Sequence, residues 1–119
     1  MSIKLKIIFI SISIASCGGG TLESYGALAV NYKTGAAYLT ARHDNESAAY
    51  QQALYGCGDG CSVVEQFKDS GQCMAVSRGT NLILGWKQGS VQKKIETESI
   101  SQCSKNGGVS CIMFLSFCN

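Results

Sequence analysis

Seven cysteines and one histidine are the side chains of this sequence best suited to covalent or acid–base chemistry. The first thiol stands in Ile14-Ala15-Ser16-Cys17-Gly18, with an aliphatic residue three places before Cys17 and small residues between. That is the pattern of a lipobox, in which the thiol accepts a diacylglycerol and the freed amino terminus accepts a further acyl chain such as palmitate. Each buried methylene contributes about 0.8 kcal/mol, so several chains together hold a protein on a bilayer.

The segment before Cys17 fits this chemistry. Lys4 and Lys6 precede the apolar run Ile7-Ile8-Phe9-Ile10-Ser11-Ile12-Ser13-Ile14-Ala15. The run is shorter than the ~20 residues needed to cross a hydrocarbon layer and reads as the core of a signal peptide. The predicted organisation is a lipoprotein signal peptide over 1–16, a flexible tether over 17–24 containing Gly18-Gly19-Gly20, and one domain over 25–119. The competing reading is ordinary secretion with cleavage nearby and a spare cysteine. Gly after Cys17, with no Asp there, points to the outer membrane of a Gram-negative cell, with a periplasmic or secreted protein as the alternative.

Assigning Cys17 to lipid leaves an even set, Cys57, Cys61, Cys73, Cys103, Cys111 and Cys118. In an oxidising compartment such a set implies disulfides. Cys57 and Cys61 lack a second matched pair and the chain has one His, so a metal site is the weaker alternative and no metal is expected. No cofactor is expected either. Gly18-Gly19-Gly20 has neither the preceding strand nor the following Gly-Lys-Ser/Thr of a phosphate loop.

Removal of the leader takes Lys4 and Lys6 with it and leaves eight basic residues against eight acidic ones. A near-neutral domain argues against a nucleic-acid partner, and leaves the lipid as the expected link to a membrane.

Other candidates for chemistry are fewer. His43 precedes Asp44 at a predicted strand-to-helix junction, the pairing a general-base dyad would use, but every cysteine is assigned elsewhere and a surface role is the plainer reading. Glu65, with Asp69, is a conceivable carboxylate pair, although alternation along a strand makes Glu65 a solvated residue. Trp86 with Tyr32 and Tyr38 forms a candidate aromatic contact surface, set against the alternative that Trp86 packs in the core.

The elements that carry these residues repeat. Ala27–Val30 and Ala36–Thr40 flank a turn ending at Gly35, as in a hairpin with a short bulged loop. A helix capped by Asp44 or Asn45 runs to about Tyr55 with Ala49, Ala53 and Cys57 on one stripe, and Cys61–Phe67 reads as a strand. The same order returns as Met74–Val76, Leu82–Trp86, a helix capped by Ser90 that carries Ile95, Ser99 and Cys103, and a closing strand Ser110–Phe117. The expected fold is α+β: two degenerate β-β-α-β repeats forming a mostly antiparallel sheet with two helices and three disulfides. Each helix ends at a cysteine, followed by a Gly-rich turn and another cysteine. The local pairs Cys57–Cys61 and Cys103–Cys111 follow, and Cys73–Cys118 remains.

Tyr25-Gly26-Ala27-Leu28-Ala29, the Thr34-Gly35 turn, Ala49 and Ala53 before Cys57, and Cys61-Ser62-Val63-Val64 together resemble the bacterial exported family called domain of unknown function 4189. The resemblance covers residues 25–118 and includes Gly85-Trp86 and the Cys103…Cys111 pair. Lys93-Lys94-Ile95-Glu96 departs from the Ala-rich helix usual there. The resemblance implies an exported, cysteine-rich doubled domain and no particular activity.

The function expected on these grounds is a non-enzymatic envelope lipoprotein that binds an envelope, periplasmic or extracellular protein, as inhibitors and immunity proteins do. A structural accessory of an envelope complex is the alternative, and a small hydrolase a more remote one. In growing cells, labelled fatty acid should enter the wild-type protein and not Cys17→Ser; label retained by that variant would remove the anchor.

Overall fold

The computed structural model describes residues 23–119, so the expectations placed on the signal peptide, the tether and Cys17 lie outside the described residues. Strands β1 (Tyr25–Asn31) and β2 (Ala36–His43) are followed by helix α1 (Glu46–Cys57) and strand β3 (Ser62–Lys68). The second half runs through β4 (Cys73–Arg78), β5 (Leu84–Gly89), α2 (Gln92–Lys105) and β6 (Ile112–Cys118). The β-β-α-β order therefore occurs twice, and the strands divide into two antiparallel sheets, β2-β1-β3 and β5-β4-β6, one per repeat.

The duplication reaches the detail of strand pairing. In β3 the register against β1 slips between Leu28↔Glu65 and Ala29↔Val63, leaving Val64 as the extra residue. In β6 it slips between Val76↔Leu115 and Ser77↔Met113, leaving Phe114 extra. Both bulged residues stand three places after a disulfide cysteine, Cys61 in one repeat and Cys111 in the other.

Composition along the central strands explains how the layers stack. Leu28 and Val30 of β1 join Met74 and Val76 of β4, with Leu39, Phe67 and Leu84, in the core between the two sheets. The alternate residues Ala27 and Ala29 face Ala49 and Ala53 of α1, while Cys73 and Ala75 meet Ile95 of α2. Large side chains thus fill the sheet-to-sheet space and small ones let a helix approach the outer face, giving the layer order helix, sheet, sheet, helix. Each fully buried Leu, Val or Met contributes roughly 1.5–3 kcal/mol.

The helix–sheet contact is closest at Gly85, where an added Cβ would stand 2.5 Å from Cys103 Cα and 2.8 Å from the Gln102 carbonyl carbon. Ser77 and Ser99, both fully buried, share a hydrogen bond of 2.6 Å across the same interface, and Ser99 Oγ also donates to Glu96 O at 2.7 Å. The equivalent positions by strand register and by spacing to the helix cysteine are Ala29 and Ala53. One repeat is apolar where the other carries a satisfied hydroxyl pair.

The helix starts differ from each other. Asn45 caps α1, its side chain accepting from Ala48 N at 2.8 Å. In α2 the cap position is Val91, with no side-chain cap bond, so Ser90 does not cap as its residue type suggested. Burial of Ile95, Ser99 and Cys103 on one stripe, together with the Cys103–Cys111 bond, holds α2 in its place. The strand bounds also shift: Ser77 and Arg78 belong to β4 rather than to the turn, and Leu82 and Ile83 precede β5.

All three disulfides pair as the repeat pattern predicts: Cys57–Cys61, Cys103–Cys111 and Cys73–Cys118. Their sequence separations are 4, 8 and 45, and every bond stays within its own repeat. In the chain-entropy account the long link restricts the unfolded chain most. Replacing Cys73 and Cys118 together by Ala should cost about 4 kcal/mol in denaturant unfolding, and replacing Cys57 and Cys61 about 2 kcal/mol; the reverse order would refute that account here.

Candidate binding surface

Two sheets stacked face to face have two lateral seams, and these differ. Between β3 and β5, Gln88 Nε2 donates to Glu65 Oε2 at 2.6 Å and to Gln66 O at 3.4 Å, so polar side chains span that side. Between β2 and β6 lies a groove of about 530 Å³, lined by Tyr38, Leu39, Thr40, Ala41, Arg42, Leu115, Phe117 and Cys118. Leu39 and Leu115 belong to or pack on the inter-sheet core, whereas Phe117 is 49% exposed. Leu39 is buried, so the core itself is closed here, and Tyr38 and Phe117 are the exposed large side chains of this seam.

Each end of the seam is held by an arginine bound to the backbone of the other repeat. Arg42 adopts φ +67° at a bulge where Ala41 and Arg42 of β2 stand opposite the single residue Gly26 of β1. Its Nε donates to Cys118 O at 3.3 Å and its backbone N to Asn119 Oδ1 at 3.1 Å. Asn119 Nδ2 in turn donates to Ser24 O and Phe67 O at 3.1 and 3.3 Å. Asn119 N donates to Gln72 O at 2.8 Å, and Gly71 N donates to Asn119 O at 3.0 Å.

At the far end Arg78 Nη1 donates to Gly35 O at 3.1 Å, and the guanidinium lies 3.8 Å from the centre of the Phe114 ring. Gly35, with φ +72°, sits against Leu82, where a Cβ would come within 2.7 Å of the leucine Cβ. A residue with a side chain would be strained there on both counts.

The predicted aromatic trio separates. Tyr32 and Trp86 lie together, ring centres 6.5 Å apart and tilted by 47°, beside a hollow of about 350 Å³ that also includes Leu82, Ile83, Leu84 and Asn106. Trp86 is half-buried and packs on the inter-sheet core. Tyr38 sits elsewhere, on the open seam, its ring against Gly56 of α1.

The acid–base candidates do not assemble into a catalytic group. His43 Nε2 shares a 2.6 Å hydrogen bond with Thr40 Oγ1, taking its partner from β2 rather than from Asp44. The Glu65 carboxylate is bound by Gln88, and Asp69 stands in the β3–β4 turn with φ +85°. Among the described residues there is no cluster of three or more His, Cys, Asp or Glu able to hold a metal ion, and no helix is long and apolar enough to cross a membrane.

An exposed polar group joins the beginning of β1 to the end of β3. Tyr25 Oη donates to Glu23 Oε1 at 2.9 Å, and Lys68 Nζ lies 3.6 Å from Glu23 Oε2. The tyrosine hydroxyl first, and then the lysine charge, hold the Glu23 carboxyl below its ordinary range. The same carboxylate raises Tyr25, and Lys68 is raised by Tyr25 and Glu23.

The sequence pattern of the family described as Domain of unknown function (DUF4189) matches residues 25–118, the span of both repeats. The chain belongs to this family. No curated protein and no solved structure matches it. The family description carries no activity, so the surface is read from its own chemistry.

Sequence inspection passed over Arg42, Arg78, Leu115 and Phe117. The uncharged run Ile112-Met113-Phe114-Leu115-Ser116-Phe117-Cys118 was the available signal, since an apolar strand with no charged residue is unusual at a sheet edge. Arg78→Gln should lower stability by about 1–2 kcal/mol through the lost charged hydrogen bond and ring contact. Lys33→Gln in the exposed turn should change it by less than about 0.5 kcal/mol, and equal effects in urea titrations would remove the bridging role of Arg78.

Proposed function

We propose that the chain is an exported, lipid-anchored protein of the cell envelope whose domain works by binding another protein, as inhibitors and immunity proteins do, and not by catalysis. The observation that carries this reading is the open seam between β2 and β6. Two outer strands flank it, and the exposed aromatic side chains of Tyr38 and Phe117 stand there in place of most of the charges that usually protect an edge.

The composition of the domain supports the reading. Disulfides and a doubled core give a rigid scaffold, and a preformed surface loses little conformational entropy on binding. A lipid at Cys17 followed by Gly18-Gly19-Gly20 would keep that surface near a membrane while leaving it free to turn. The outer membrane is the proposed address.

Photo-crosslinking residues placed one at a time at Tyr32, Tyr55 and Phe117 in living cells test the proposal across the surface. One discrete protein adduct at one of these sites is the expected result. Absence of an adduct at all three would overturn it, and recovery of a fixed multi-protein assembly would establish the accessory role in its place.

A further inference from the structure

We infer that Cys57–Cys61 is a site of thiol–disulfide exchange, opened by a dithiol protein of the cell envelope while the other two disulfides stay closed. The inference goes beyond the protein-binding reading and concerns a different part of the domain.

The three bonds differ in what surrounds their sulfurs. Cys73 is 3% exposed and Cys103 fully buried, each joined to a half-buried partner, Cys118 or Cys111. Cys57 and Cys61 are both half-buried, so this is the one pair without a sealed member. The loops closed by the two short bonds differ in the same way. Gly58, Asp59 and Gly60 are all exposed, and a Cβ added at Gly58 would meet nothing within 4 Å. A Cβ added at Gly108 would run into the Sγ atoms of both Cys103 and Cys111, so the backbone of that loop lies directly on its disulfide.

Exchange begins when a thiolate attacks one sulfur, and the other sulfur leaves as a thiolate. Opening either of the other bonds from its half-buried end would leave the charge on Cys73 or Cys103, in the apolar interior, where an unpaired charge is costly. A carbonyl oxygen also faces each of those sulfurs and would repel that charge: Gly71 O lies 3.6 Å from Cys73 Sγ, and Ile83 O lies 3.5 Å from Cys103 Sγ. Attack from the sealed end is blocked by burial itself. Cys57–Cys61 meets neither obstacle.

The order of attack follows from the helix. Cys57 is the last residue of α1, where the negative pole of the helix disfavours a thiolate, so Cys61 is the leaving sulfur and Cys57 the attacked one. The donor's first thiolate bonds to Cys57 Sγ, the S–S bond breaks, and its electron pair leaves on Cys61 Sγ, which takes a proton from water. The donor's second thiol loses its proton to water and attacks the donor sulfur of the mixed disulfide. Cys57 then leaves and is protonated. The chain gains two thiols and the donor becomes a disulfide.

The opened domain keeps its fold. Gly58 N still donates to Leu54 O at 3.0 Å at the helix end, and Ala49 and Ala53 of α1 remain packed on Ala27 and Ala29. The change is therefore reversible.

Graded reduction of the Cys17→Ser form of the full chain with dithiothreitol, quenched by alkylation and mapped by peptide mass, tests the selectivity. Cys57 and Cys61 should be labelled together, at least about tenfold faster than the other four, with the far-ultraviolet circular dichroism unchanged. A thioredoxin-like donor whose second cysteine is replaced by Ser should be trapped on Cys57. In growing cells, acid quenching and alkylation should find a fraction of the wild-type chain labelled at Cys57 and Cys61 and not at the other four disulfide cysteines.

Labelling of all six together, earlier labelling of either other pair, or loss of the circular dichroism signal with the first bond would overturn the inference. So would absence of label at Cys57 and Cys61 in cells. A donor trapped on Cys61 would overturn the assigned order of attack.

Discussion

Two strands, β1 and β4, are buried on both faces, and the other elements are arranged by that requirement. A strand covered on one side by a sheet and on the other by a helix needs two sizes of residue in alternation. Leu28 and Val30 interleave with Ala27 and Ala29 in β1, and Met74 and Val76 with Cys73 and Ala75 in β4. Exchange of the two sets would open voids between the sheets and drive each helix outward, and in closely packed interiors either change is costly. The fully buried Ser77–Ser99 pair fits the same scheme, because a serine is little larger than the alanine it replaces and its hydroxyl finds a partner at once.

The disulfides reinforce each repeat and leave the contact between repeats to packing and to a few polar bridges. Cys57–Cys61 and Cys103–Cys111 each tie a helix end to the strand that follows, and Cys73–Cys118 joins a central strand to its neighbour at the register pair Cys73↔Cys118. Between repeats stand the core, the Glu65–Gln88 contact on one side, and Arg42, Arg78 and Asn119 on the other. Asn119 is placed to act as a knot, since its amide and backbone together reach Ser24, Phe67, Arg42, Gln72 and Gly71. The arginines must reach across because the edges of β2 and β6 do not join. What closes the domain there also frames its opening.

Much of this was legible in the sequence, and the unread part has a physical cause. Spacing of Ala49, Ala53 and Cys57 against Ile95, Ser99 and Cys103 disclosed the duplication, and with it the disulfide pairing, because a helix stripe and a following turn are local features. Division of the strands between two sheets was not legible, since alternating Ala and Leu in β1 shows two buried faces without saying that one of them meets a second sheet. Ser90 misled because a capping residue type next to a helix is only a propensity, and burial of Ile95 and Cys103 decides where α2 sits. The separation of Tyr38 from Tyr32 and Trp86 depends on contacts made between repeats and on the packing of Tyr38 over Gly56, which one strand's periodicity does not encode. Cys17 stands apart from all of these, resting on the local pattern Ile14-Ala15-Ser16-Cys17 alone.

The asymmetry of the two seams follows from the way the duplicated halves have diverged. In a doubled β-β-α-β fold, β3 and β6 are equivalent strands, and each lies at a sheet edge beside the other repeat. β3 carries Glu65 and Gln66 there, polar groups that meet Gln88 of β5 and cover the core. At the corresponding places after its bulge β6 carries Leu115 and Ser116, and then Phe117 where β3 has Phe67; Phe67 is buried at 3% exposure, while Phe117 is 49% exposed. Stability alone does not call for that difference, because the polar solution already exists in the same fold. An apolar edge invites unwanted pairing, and proteins usually suppress it with charge. Exposed Phe114 and Phe117 in β6, with Arg42 and Arg78 bridging the repeats at either end, are where the two seams differ most.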